Sequence, residues 1–178
     1  MAGNLNIILA GFGGQGILFA GKLISYAGLL EGREVSWLPS YGPEMRGGTA
    51  NCSVCLSDEP IGSPLVVSPD VLIALNQPSY DKFEQDVVPG GLAIVDSALV
   101  PRIVPMDGVR LFADPMATLA EEAGLEGLAN VVSVGKLFAE TGFCSEQTLF
   151  HAVDECVSKR KIDMIEKNKE ALRLGMAL

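Results

Sequence analysis

Two short stretches hold most of the residues that could act on a ligand. The first, GFGGQG at 11–16, places Gly11, Gly13 and Gly16 in a G-x-G-x-x-G spacing, with Gly14 and Gln15 between them. Glycines so spaced let a backbone approach a pyrophosphate, and a helix starting behind them turns its positive end toward the charge. The second, SYGPEMRGG at 40–48, gathers Tyr41, Glu44, Met45 and Arg46 between the turning points Gly42-Pro43 and Gly47-Gly48. Arg46 has the paired donors that grasp a carboxylate or phosphate, and Glu44 could instead orient Arg46 or an interface residue. Two readings of this loop stay open: an elaborate turn closed by an internal ion pair, and a ligand-adjacent or intersubunit surface.

The glycine spacing alone does not make a nucleotide site. A dinucleotide fold also needs an acidic side chain at the end of the second strand to accept the ribose hydroxyl. Here that strand, REVSWL at 33–38, runs into Pro39-Ser40, and Glu31 and Glu34 come before it or early within it. A stand-alone dinucleotide-binding oxidoreductase, taking NAD or a flavin, is therefore the weaker alternative. ATP hydrolysis fits worse, because Leu23 follows Gly21-Lys22 where a Ser or Thr would bind magnesium. Lys22 reads as an exposed helix residue or a partner contact. Cys52 and Cys55 stand three apart on a strand, so their thiols face opposite ways, while Cys144 and Cys156 are distant and His151 is the only histidine. No metal site is expected.

The elements that must position these loops can be read from periodicity. LNIILA at 5–10 is a short apolar run of the kind found in a buried strand, and a helix follows near 15–30 in which Gly21 and Gly28 let the backbone lie close to a sheet. Further strands are expected at 49–56, 71–75 and 92–96, and a helix from NQPSYDKFEQ. IVPM and VRLF within 97–112 read as short strands. Asp114 is expected to cap a helix starting at Pro115 and ending near Gly124, Asn130 to start one ending at Gly142, and Ser145 to cap a third. The pattern predicts an α/β fold of three layers, a Rossmann-like, mostly parallel sheet with helices on both faces and a helix-rich C-terminal region, in one domain over 1–178.

Charge and hydropathy narrow the function classes. The net charge is −9, yet residues 159–173 alone carry +3, a solvated final helix or a dock for an acidic partner. Phosphates of a double helix would be repelled by the acidic remainder, so nucleic acid is excluded as a partner. The N-terminal apolar run lacks a basic leader and no stretch is long enough to cross a bilayer, so a cytoplasmic protein with no membrane contact is expected.

GFGGQGI at 11–17, SYGPEMRGG at 40–48, NQPS at 76–79, PGG at 89–91 and VGKLFAETG at 134–142 occur in an order that resembles the gamma subunit, or gamma domain, of the 2-oxoacid:ferredoxin oxidoreductases. The resemblance covers nearly the whole chain. It implies a subunit of a heteromeric enzyme that oxidatively decarboxylates a 2-oxoacid with coenzyme A, giving an acyl-CoA and carbon dioxide and passing electrons to ferredoxin. In such enzymes thiamine diphosphate, magnesium and iron-sulfur clusters belong to the partner subunits, and none is expected to be bound by this chain alone. The isolated chain is then expected to be inactive, and its exposed assembly surfaces leave self-association open. Carried onto this sequence, the resemblance makes Gly11, Gly13, Gly14, Gln15 and Gly16 the loop that places the first helix. It makes Tyr41, Glu44 and Arg46, with Gly42, Pro43, Gly47 and Gly48, an interface or coenzyme-A-facing surface. Pyruvate, 2-oxoglutarate, branched 2-oxoacids and aryl pyruvates all remain open as the substrate.

Overall fold

The computed structural model describes residues 3–40 and 49–178. Six strands form one sheet in the order β2-β3-β1-β4-β5-β6, comprising β1 (Leu5–Phe12), β2 (Glu34–Ser40), β3 (Thr49–Ser57), β4 (Val71–Ala74), β5 (Leu92–Asp96) and β6 (Arg110–Asp114). β1, β4, β5 and β6 pair in parallel, whereas β3 lies antiparallel between β1 and β2. Only β3 therefore runs against the other five. The helices are α1 (Ile17–Leu30), α2 (Gln77–Phe83), α3 (Met116–Glu122), α4 (Ala129–Thr141), α5 (Glu146–Cys156) and α6 (Ile162–Met176).

Strand alternation sorts the core into two layers. Ile7, Leu9, Ile73 and Ile94 face one side, where α1 and α3 to α6 pack; Ile8, Ala10, Leu72 and Val95 face the other, under Tyr80 of α2 and loop residues such as Val66 and Val100. Cys52 belongs to the first layer and Cys55 to the second, as strand geometry requires. Helices cover both faces, with the C-terminal ones, α3 to α6, on a single face. The sheet and its helices match the expected three-layer α/β architecture.

Glycine sets how closely α1 lies on the sheet. A Cβ on Gly21 would come 2.5 Å from Cys52 Sγ, and one on Gly28 would come 2.5 Å from Leu56 Cδ2. The low helix propensity of these two glycines is thus offset by packing against β3 so close that a Cβ would force the facing side chains to shift. A still closer approach occurs where α4 crosses α6. There a Cβ on Gly175 would meet the Val132 carbonyl, and one on Gly135 would meet the Leu172 carbonyl.

Three local expectations need correction. IVPM forms no strand; Met106 accepts the Val109 N–H in a turn, and only the VRLF region enters the sheet, as β6. Asp114 ends β6 instead of capping α3, and Pro115 takes the cap position with no side-chain bond of its own. Asn130 lies within the first turn of α4, whose N-cap is Leu128. By contrast Asn76 caps α2 by accepting the Ser79 N–H at 2.8 Å, and Ser145 caps α5 by accepting the Thr148 N–H at 3.1 Å. Gly142 closes α4 in the left-handed conformation with φ 55°.

Candidate functional site

The glycine loop leaves the C-terminal end of β1 and is braced from within. Gln15 N–H donates to the Phe12 carbonyl at 3.2 Å, and Gln15 Oε1 accepts the Phe12 N–H at 2.5 Å. The other end of the same amide, Nε2, donates to the Leu75 carbonyl at 2.9 Å, just past β4. Gln15 is therefore a strut between two neighbouring strand ends. Gly14 and Gly16 have φ of 98° and 71°, a region in which a side chain is strained, and Gly13 lies in the turn with them. At Gly11 the reason is space, since a Cβ would lie 2.7 Å from Gln15 Oε1 and 2.8 Å from Ile17 Cδ1.

Asn130 fixes the loop from the far side. Its Nδ2 donates to the Gly16 carbonyl at 2.9 Å across 114 residues of sequence, and a Cβ on Gly16 would collide with that same amide. Asn130 is 3% exposed, and its Oδ1 has no partner among the described residues. The loop is thus clamped by Gln15 to β4 and by Asn130 to α4.

Beside it lies a cleft of about 370 Å³. Its rim is Gly14 and Gln15 on the β1 side and Leu75 on the β4 side; Leu99 follows β5, and Ala117 and Glu121 come from α3. Glu126, Gly127 and Ala129 close it between α3 and α4. β1 leads through α1 to β2 on one side of the sheet while β4 leads to β5 and β6 on the other, so the cleft sits where the strand order reverses. Ligands of open α/β sheets bind at this switch point because diverging loops leave a crevice there.

The geometry separates this site from a dinucleotide pocket in three ways. β3 is inserted between β1 and β2, so the second strand does not neighbour the glycine loop. Glu34 begins β2, at the opposite end of the sheet from the loop. The Phe12 N–H, moreover, already has the Gln15 carboxamide oxygen as its acceptor. Lys22 is exposed on α1.

The four thiols are poorly suited to nucleophilic or redox chemistry. Burial raises all of them, Cys52 and Cys144 to about 12, so they stay protonated near neutral pH. His151 is well exposed and lies 3.7 Å from Glu155. Among the described residues no three of His, Cys, Asp or Glu converge as metal ligands, and no helix is long and apolar enough to cross a membrane.

Of the residues singled out in the sequence, Gly11, Gly13, Gly14, Gln15 and Gly16 come together at the switch point. Tyr41, Gly42, Pro43, Glu44, Arg46, Gly47 and Gly48 lie outside the described residues. Their flanking strands bring Ser40 and Thr49 to the end of the sheet that carries Phe12, since Phe12 pairs with Thr49 and Ser40 with Asn51. Sequence reasoning missed the clamp made by Asn130 and the cleft wall around Asp96, Leu99 and α3. An acidic residue ending the otherwise apolar strand LAIVD was the one available signal for that wall.

The sequence profile of the family described as pyruvate ferredoxin/flavodoxin oxidoreductase matches residues 6–178. The ketoisovalerate oxidoreductase subunit VorA of Methanothermobacter thermautotrophicus is 44% identical over 171 residues, 96% of this chain and 35% of that protein. The chain thus spans about a third of the length of that curated relative. The gamma subunit of a keto/oxoacid ferredoxin oxidoreductase from Geobacter sulfurreducens superposes with a TM-score of 0.82 at 32% identity, covering 97% of this chain and 96% of that one. A 2-oxoglutarate:ferredoxin oxidoreductase from Magnetococcus marinus, solved with 2-oxoglutarate, coenzyme A and succinyl-CoA bound, gives 0.87 at 27% identity, covering 99% of this chain and 31% of that one. With the profile spanning all but the first five residues, the chain belongs to the pyruvate ferredoxin/flavodoxin oxidoreductase family.

Proposed function

We propose that this chain is the gamma subunit of a cytoplasmic, heteromeric 2-oxoacid:ferredoxin oxidoreductase, inactive by itself. Its glycine-loop end completes the coenzyme-A-facing side of an active site built by thiamine-diphosphate- and iron-sulfur-binding partners. The observation that carries this reading is the cleft at the switch point, walled by a loop whose glycines are fixed by Gln15 and Asn130. The Magnetococcus enzyme, to which nearly all of this chain is similar, was solved with coenzyme A bound.

The chemistry of the lining suits one part of that cosubstrate. Leu75, Leu99 and Ala117 give apolar surface, and among the described residues the charged lining groups are Glu121 and Glu126. Phosphates would be repelled there, whereas the uncharged pantetheine arm would be accepted, its amides meeting the rim and its methyl groups the leucines. Tyr41, Glu44 and Arg46 are assigned to the partner-facing or coenzyme-facing side of the same end. Arg46 would supply a guanidinium fork, a group that the described lining of the cleft does not include. Thiamine diphosphate, magnesium and the clusters are assigned to the partners, which supply the carbanion chemistry and electron transfer to ferredoxin.

The test is capture of the chain from native extract, identification of what accompanies it, and assay of the captured material with several 2-oxoacids, coenzyme A and a low-potential acceptor. Thiamine-diphosphate and iron-sulfur subunits should co-purify, with coenzyme-A-dependent oxidation of one 2-oxoacid class identifying the substrate. Capture of the chain alone, together with saturable micromolar binding of NAD or a flavin dinucleotide, would instead establish the stand-alone alternative.

A further inference from the structure

Asp96 is the one fully buried carboxylate among the described residues, and it stands at the C-terminal end of β5, bonded to the cleft-lining residues Leu99 and Ala117. One carboxylate oxygen, Oδ1, accepts the Ala98 N–H at 3.0 Å. The other, Oδ2, accepts the Ala117 N–H at 2.9 Å in the first turn of α3. Its main-chain carbonyl accepts the N–H groups of Leu99 at 3.1 Å and Val100 at 2.9 Å. One residue therefore ties down two separate walls: the 97–100 turn that presents Leu99, and the helix that presents Ala117 and Glu121.

A carboxylate is costly at such a place. Burial raises the Asp96 carboxyl, while the backbone N–H groups of Ala98, Ala117 and Met116 pull it down. No capping side chain is present on Pro115, so without Asp96 the start of α3 would lose a side-chain acceptor. A single neutral oxygen, as in Ser, could serve the 96–98 turn, but here the turn and the helix are met by different oxygens of one carboxylate.

We infer that Asp96 is a positioning residue that holds the two walls of the cleft in register and through them sets the affinity for coenzyme A. This rests on reading the cleft as the coenzyme-facing surface. Two variants probe it: Asp96→Asn, whose NH₂ group would face one of the two backbone donors, and Asp96→Ser, which keeps the turn and releases α3. Leu99→Ala serves as an independent cut in the same wall that leaves the Asp96 bonds in place.

Hydrogen exchange at the first turn of α3 should speed up at least tenfold in Asp96→Ser, and in Asp96→Asn at that turn or at the Ala98 amide, with the α1 amides unchanged. In the reconstituted enzyme, KM for coenzyme A should rise about tenfold, with KM for the 2-oxoacid and kcat within twofold of wild type. A merely structural role would instead lower the yield of assembled enzyme and leave both KM values alone. Unchanged exchange in α3 of Asp96→Ser overturns the inference. So does unchanged KM for coenzyme A in the Asp96 variants when Leu99→Ala raises it, an outcome that leaves the assignment of the cleft standing. If none of the three variants moves KM for coenzyme A, the coenzyme-facing reading itself fails, and the inference with it.

Discussion

Two regions of the molecule require glycine for different reasons. At the α4–α6 crossing, Gly135 and Gly175 are needed because the atoms a Cβ would strike belong to the backbone of the facing helix, which cannot swing aside. At the switch point, Gly16 is needed partly for its own backbone conformation and partly because the Asn130 side chain occupies the adjoining space. The first constraint serves the packing of the fold; the second shapes a surface. Substitutions in the first region should therefore cost stability without a specific effect on a ligand. Those in the second should change ligand affinity more than their cost in stability would suggest.

The largest expected effect is at the crossing. Gly175→Ala should destabilise the chain by about 3 kcal/mol or more, because two helices must separate to admit one methyl group. Denaturant unfolding would show it as a lower midpoint, while assembled enzyme that survives should keep its KM values. Next comes Gly16→Ala, where the left-handed backbone alone costs about 1–2 kcal/mol. Here the signature is functional: a raised KM for coenzyme A in the reconstituted enzyme, at a stability loss smaller than that of Gly175→Ala. Equal KM changes at the two glycines would break the comparison.

Asn130→Ala sharpens it further. It removes the 2.9 Å bond to the Gly16 carbonyl but relieves a buried Oδ1 that has no partner among the described residues, and that carbonyl still accepts the Ala20 N–H at 3.0 Å. A net loss of about 1 kcal/mol in unfolding free energy is expected, with faster hydrogen exchange confined to residues 13–18. The smallest effect belongs to an exposed charge pair. Arg102 meets Asp81 at 2.8 Å, but its side chain is 66% exposed, so Arg102→Ala should cost roughly 0–1 kcal/mol, with unfolding at raised salt reducing the difference.

How much of this was legible in the sequence depended on whether the signal was local. β1, α1 and β5 follow from apolar runs and the glycines beside them, and the Asn76 and Ser145 caps follow from one residue type at a helix start. The reach of Gln15 to the Leu75 carbonyl and the grip of Asn130 on Gly16 were not legible, because each joins elements distant in sequence. Asp114 was misassigned for a related reason: Asp-Pro is a good local cap signal, but β6 uses Asp114 as its last residue, and the α3 cap is supplied by Asp96 from the neighbouring strand. The position of β3 between β1 and β2 could not be read from alternation, which reveals the face of a strand but not its neighbours. That insertion is what removes the second strand from the glycine loop and, with it, the geometry of a dinucleotide pocket.

The central claim is that the chain completes an active site built by other subunits. The direct measurement is coenzyme-A-dependent 2-oxoacid oxidation by the purified thiamine-diphosphate and iron-sulfur partners, with this chain titrated from zero to excess. Turnover should be close to background without it and rise to a plateau at a fixed ratio of chain to partners. Full turnover in its absence would contradict the account.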